Sequence, residues 1–248
     1  MSSSLRESLK SAVTLTIPAT ILAAALALGL NQVGSGFASR NDSGISVTGS
    51  ARVNATADNA VWTLNVNAVS PTLSAAVKSV NDDVVALQDY LLAGGIPADG
   101  ITLGALSTYA NEEWVNGSST GRIASYRGDR PVTVRSRDVN LVSKLSNEIG
   151  KLLETGVSVN NMGPNFYISN LKELRPALLE EAMKDAKVRA EAIMSATGGE
   201  VGAVVAVRSG PFQVTSPDSV DTSAGGFYDT STIEKTVTST VTVTFKTK

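Results

Sequence analysis

The chain contains no histidine and no cysteine. Imidazole acid–base chemistry, thiolate nucleophiles, disulfides and metal sites built on nitrogen or sulfur are therefore excluded at the level of composition. What is left for catalysis is a hydroxyl activated by lysine, or a pair of carboxylates. Neither leaves a mark in sequence, because such partners meet only in space. The acidic pairs Asp82-Asp83 and Asp218/Asp221 lack the spacing of a calcium loop, and a solvated helix face and a solvated loop account for them. No phosphate loop or dinucleotide glycine pattern occurs. No catalytic, cofactor-binding or metal-ligating residue is assigned, no cofactor is expected, and no enzymatic activity is expected.

One charged cluster has two readings. Arg135, Arg137 and Asp138 stand at the junction of a strand and a helix. They could form an anion or partner site at a helix start. The structural reading is stronger: Asp138 accepts backbone N–H bonds as an N-cap, and the arginines pair with nearby carboxylates. Asn41-Asp42-Ser43, Asn54-Ala55-Thr56 and Asn116-Gly117-Ser118 match the glycosylation pattern, but a chain this rich in Asn, Ser and Thr produces such matches by chance.

The elements that position this cluster form the central unit of the chain. Val132 to Arg135 reads as a strand, and Asp138 caps a helix with apolar residues at Val142, Leu145, Ile149 and Leu152. Gly156 stops that helix and Val157 begins the next extended segment. Upstream, Ile45 to Val53 and Trp62 to Ala68 alternate apolar and polar residues, as half-buried strands do. The polar stretch 54–59 between them suggests a hairpin. Pro71 opens a helix with Leu73, Val77, Val80, Val84, Leu87 and Leu91 on one face, ended by Gly94-Gly95. Ile101 to Tyr109 is extended. Residues 112–122 read as a polar loop whose one large apolar residue, Trp114, folds back on the domain or else is an exposed contact.

Downstream, Phe166 and Ile168 mark a strand. A helix follows with Pro176 in its first turn and Ala182, Ala186 and Ala190 as a smooth face. Residues 209–232 are rich in Ser, Thr, Asp, Gly and Pro without a period, so disorder is the first expectation. Phe212, Phe227 and Tyr228 interrupt that polarity and offer an assembly contact instead. The chain closes with Val237, Val241, Val243 and Phe245 alternating with threonines. Three times a helix ends in glycine and passes into an apolar strand. The fold class expected is α+β, a mixed, largely antiparallel sheet with helices layered on one face.

The 248 residues suffice for one membrane segment plus one large domain or two small intimate ones. With 21 Lys+Arg against 23 Asp+Glu, the net charge of −2 argues against nucleic acid as the main partner. Between Lys10 and Arg40 there is no charge, and Ala12 to Leu30 approaches the ~20 residues that span a bilayer. Arg6 and Lys10 precede it, so the N-terminus is expected in the cytoplasm and the rest outside. Gly36-Phe37-Ala38 before Ser39 resembles a signal cleavage site, which leaves a cleaved signal peptide as the competing reading. The apolar run is longer than the usual ~7–15-residue signal core and favours a retained anchor. The stripe Ala19, Ala23, Ala27 permits close helix approach. The organisation expected is thus a cytoplasmic N-terminus (1–10), a transmembrane helix (11–33), a linker (34–44) and an extracytoplasmic domain (45–248).

An ordered set of segments resembles the SIMPL-domain family of bacterial envelopes. It comprises the opening strand Ile45-Ser46-Val47-Thr48-Gly49-Ser50-Ala51; Tyr126-Arg127 followed by Val132 to Asp138; Gly156-Val157 leading to Pro164-Asn165-Phe166-Tyr167-Ile168-Ser169; and the helix carrying Ala182, Asp185-Ala186-Lys187 and Arg189-Ala190-Glu191. The resemblance covers about 45–248. It implies an exported α+β domain without a known enzymatic activity and without catalytic residues to transfer. Some relatives are similar in forming ring-like or channel-like homo-oligomers, and others are associated with oxidative-stress tolerance. Relatives are often secreted through a cleaved signal, so a retained anchor is a departure. The resulting expectation is a membrane-anchored, self-assembling periplasmic protein of structural or protective role, with itself and the bilayer as partners. The alternative is an extracytoplasmic binding module that uses Trp114 and Phe227-Tyr228 as contacts.

Overall fold

Alternating burial along β2 (Asn59–Ser70) organises the larger part of the fold. Ala60, Trp62, Leu64 and Val66 are fully buried, while the residues between them face away. A computed structural model of the protein describes residues 44–219, 223 and 225–248. The expected cytoplasmic segment, transmembrane helix with its alanine stripe, signal cleavage site and nearly all of the linker lie outside the described residues.

The chain divides into two units. The larger holds Ser50–Asp185 and Ser209–Val241; of the described residues the smaller holds 44–49, Ala186–Arg208 and Thr242–Lys248. In the larger unit β2 is flanked antiparallel by β5 (Ser118–Ser136) and β6 (Val159–Tyr167). Strands β3 (Ile101–Leu103) and β4 (Ser107–Val115) both add to β5. The inward residues of β2 and β5, with Phe166, share one core with helices α1 (Leu73–Ala93) and α2 (Val139–Glu148). From α1 come Val80, Val84, Leu87 and Leu91, and from α2 Val142 and Leu145. Each such buried aliphatic side chain contributes about 1.5–3 kcal/mol. Trp62 satisfies its buried indole by donating from Nε1 to Asn161 Oδ1 at 2.8 Å. Tyr90 does so through its hydroxyl, which donates to the Leu145 carbonyl at 2.8 Å.

Thr72 caps α1, accepting from Ala75 N, and Asp138 caps α2, accepting from Leu141 N at 2.9 Å. After α2 the chain adds one short helical segment, Gly150–Leu153, and then turns at Gly156, whose φ of +96° is the left-handed stop that glycine adopts without strain. Helix α3 (Leu171–Ala196) begins earlier than its proline suggests. Pro176 is therefore inside the helix, one turn beyond the first-turn position expected, and Lys172 loses a helical hydrogen-bond donor there.

The remaining strands form a second sheet in the order β1-β10-β8-β9, with β7 (Val201–Ser209) also on β10. Here β1 is Ile45–Thr56, β8 Gln213–Thr215, β9 Phe227–Tyr228 and β10 Glu234–Thr247. Two sheets thus replace the single sheet expected. The hairpin expected between the first two strands is not formed, because β1 pairs with β10 and β2 with β5 and β6. Between them Ala57 N donates to the Ile233 carbonyl and Asp58 N to that of Tyr167, which redirects the chain. In the larger unit Val237, Val214, Ile168 and Leu178 form a second cluster with Ala51, Val53, Leu171 and Leu174. In the smaller unit Ala186, Ala190, Val243 and Phe245 are buried, as their spacing predicts. The threonine face of β10 meets hydroxyls of β1: Thr242 and Thr48 are 2.9 Å apart, and Thr244 Oγ1 donates to Ser46 Oγ at 3.4 Å.

Disorder was the first expectation for 209–232, and it fails for the described part. Val214 is 1% exposed, β8 pairs with β10, and β9 runs parallel to β8. The tie is ionic as well. Lys235, completely buried, donates from Nζ to the Asp229 carbonyl at 2.7 Å and to its Oδ1 at 3.0 Å.

Candidate functional site

The segment 112–122 is not a loop. Strand β5 pairs with β2 only from Tyr126 onward. Its earlier residues pair with β4 alone: Asn111 with Ser125, Glu112 with Ile123, Trp114 with Ser119 and Val115 with Ser118. The result is a two-stranded arm. Its tip is Asn116-Gly117, with φ of +50° and +81°, the geometry of a two-residue primed turn. Ser119 Oγ donates to Glu112 Oε2 at 2.5 Å, Thr120 Oγ1 to Glu113 Oε2 at 2.8 Å, and Asn111 Nδ2 to Ser125 Oγ at 3.0 Å. Trp114 is 65% exposed, and Val115 and Ile123 are exposed beside it. The reading in which Trp114 folds back on the domain is thus overturned. A lone two-stranded ribbon is marginally stable in water, so exposed apolar residues on one have most to gain from a partner.

The outward face of β2 and its neighbours is polar. Arg127 Nη2 lies 2.9 Å from Asp129 Oδ1, and its guanidinium sits 5.9 Å from the Tyr109 ring centre. Asn65 Nδ2 donates to Asp129 at 3.3 Å. Burial pushes the Asp129 carboxyl up, but hydrogen bonds from Arg127, Tyr109 and Asn65 outweigh it and hold the carboxyl below its ordinary range. The hydrogen bond to Asp129 raises the Tyr109 phenol. On the same strands a cavity of about 330 Å³ is lined by Thr63, Asn65, Asn160, Met162, Gly163 and Asn165. Its walls offer amides and a hydroxyl but no charge, a surface for a neutral polar ligand.

The charged junction resolves toward structure. Asp138 is the N-cap of α2, while Arg135 and Arg137 are exposed and make no ion pair among the described residues. The expected pairing of these arginines with carboxylates is therefore not formed. Arg137 acts only through its field on Asp58. The Asp58 carboxyl is held below its ordinary range chiefly by the Ser169 hydroxyl, which donates to it together with the Ser169 N–H. The loop aromatics are also partly committed. Tyr228 Oη accepts from Ile168 N at 2.8 Å, and its ring lies 6.0 Å from that of Tyr167.

Sequence reasoning missed the Lys235–Asp229 pair, since a lysine inside an alternating strand reads as surface. Thr232 Oγ1 lies 3.4 Å from Lys235 Nζ. The Asp229 carbonyl and carboxylate complete the partners of that nitrogen. No group of three or more acidic residues that could hold a metal occurs among the described residues. Among them, too, no helix is long and apolar enough to cross a membrane.

A family model, SIMPL, described as "Protein of unknown function (DUF541)", matches residues 45–245. No curated protein matches the chain. Among solved structures it is similar to a hydantoinase/carbamoylase family amidase from Burkholderia ambifaria, at 16% identity over 50% of this chain and 34% of the amidase. The TM-score is 0.25. A likeness that slight carries no argument about fold or activity.

Proposed function

The chain belongs to the SIMPL family, and from that premise we propose that it is an extracytoplasmic envelope protein that assembles with copies of itself into a large ring- or cage-like homo-oligomer. Its role is structural or protective, including tolerance of oxidative stress, and its uncharged N-terminal stretch holds it at the membrane with the domain on the periplasmic side. One observation carries the reading: the arm of β4 and β5 projects Trp114, Val115 and Ile123 into solvent beyond the last strand that could support it. Burying one large aromatic and two aliphatic side chains per copy supplies several kcal/mol, about 2 per residue, toward each contact.

The test is the mass of the full-length protein extracted in detergent, read by mass photometry and by direct imaging. Multiples of the 25.6 kDa chain are expected. W114S with I123S should shift the distribution to smaller species while leaving each copy folded. A wild-type protein that is monomeric at micromolar concentration overturns the reading.

A second reading, a binding module for a ligand or an envelope partner, is favoured by the amide-lined cavity. The arm variant separates the two. Loss of the oligomer supports assembly, whereas loss of a co-purified partner from an intact oligomer supports binding.

A further inference from the structure

Strand β7 is unusual among the elements of this chain. From Ala203 to Ser209 every residue is exposed, and Val204, Val205 and Val207 each show more than half of their surface. Among the described residues the strand pairs with β10 on one side only, and its other side is a row of backbone groups without a strand partner, flanked by valines on both faces. Proteins that stay apart protect such an edge with charge, proline or a bulge, because it is a template for another strand.

We propose that β7 is a seam between two copies of this chain, joined antiparallel about a two-fold axis through Val204. This deepens the self-assembly reading above and rests on it. The register follows from two independent constraints. The first is backbone chemistry. Glu200 and Lys248 exchange both of their backbone hydrogen bonds. At the other end of the strand Gly210 N donates to the Thr240 carbonyl, two residues out of that register, so β7 takes up two extra residues between these ends; at both ends even-numbered residues turn to β10, and we place 201, 203, 205 and 207 on the open edge. Two copies can then pair only odd residue to odd residue, so the numbers of facing residues sum to an even value.

The second constraint is charge. Glu200 and Arg208 bracket the strand, both exposed and neither in an ion pair among the described residues. With Val204 facing its own copy, Glu200 of each chain lies opposite Arg208 of the other, twice by symmetry. A shift by one allowed step in either direction opposes each charge to glycine or alanine. In the favoured register Val205 faces Ala203 and Val207 faces Val201, with Gly202 facing Ala206.

The absence of cysteine from the chain makes the register directly readable. The two Val204 positions form a non-hydrogen-bonded pair with Cα atoms about 4.5 Å apart, within the range of a disulfide. In the full-length protein in detergent, V204C should form a covalent dimer on mild oxidation. V207C should not, since its own counterpart is roughly 20 Å away. E200R or R208E alone should lower the dimer yield of V204C at least about threefold, and E200R with R208E should restore it. Linking of V207C as efficient as that of V204C overturns the seam, as does a double reversal no better than the singles. If wild type is oligomeric but V204C does not link, the seam fails and the assembly reading survives. If wild type is monomeric, both fail.

Discussion

At the scale of single residues, the most consequential contact is one that carries no chemistry. Lys235 is wholly buried and Asp229 partly so, with 19% of its side chain exposed. Asp229 also accepts from Ser231 N and from Thr232 N. Removing one member of a buried pair strands the other. D229A should therefore destabilise the fold by about 3 kcal/mol, more than K235M, which replaces the ammonium by an apolar stem and leaves Asp229 its backbone donors. Urea unfolding of the two variants checks the order. The Asp229 carboxyl is pushed up by burial, yet Lys235 and Ser231 hold it below its ordinary range, as Ser169 does for Asp58. Both folded values lie beneath the unfolded one, so their stabilisation is fully present above the ordinary carboxylate range. It is lost as pH falls through the folded values. The urea midpoint should be flat above about pH 5 and decline below about pH 4, less steeply in D58N than in wild type.

At the scale of elements, hydrophobic period and caps were legible, and pairing was not. The buried faces of α1 and α2 are nearly those the spacing predicts, and Asp138 is the cap expected of it. D138A should cost about 1 kcal/mol in thermal or urea unfolding and leave the oligomer unchanged, because its one role here is to receive Leu141 N. The arm was misread because its alternate positions are polar. Glu112, Glu113, Ser119 and Thr120 exchange hydrogen bonds where a core-facing strand would carry apolar residues. The signal that could have found it was Asn116-Gly117, a two-residue hairpin turn by composition. The segment 209–232 was misread for a related reason. Its short strands carry few apolar residues, and they are held by the buried ends Val214 and Lys235 rather than by any period.

At the scale of the whole molecule, the arm and the free edge of β7 are two of the places, among the described residues, where apolar residues remain exposed on incompletely paired strands. They make distinct predictions. Arm substitutions should change the size of the assembly, and β7 substitutions should change the pairing of copies within it. Mass photometry of W114S/I123S and oxidation of V204C read these separately.

The sequence by itself determined what chemistry is absent, because composition alone removes imidazole and thiol. It determined the helices and their buried faces, because a 3.6-residue period is a local property. It also carried the family, through an ordered set of short segments from Ile45 onward. Only the tertiary structure decided which strands pair. It placed β1 on β10 rather than on β2, drew β4 and β5 out into an arm, and, among the described residues, left one side of β7 open. Strand pairing joins residues nearly two hundred positions apart, such as Thr48 and Thr242, and no local pattern records which partner a strand takes.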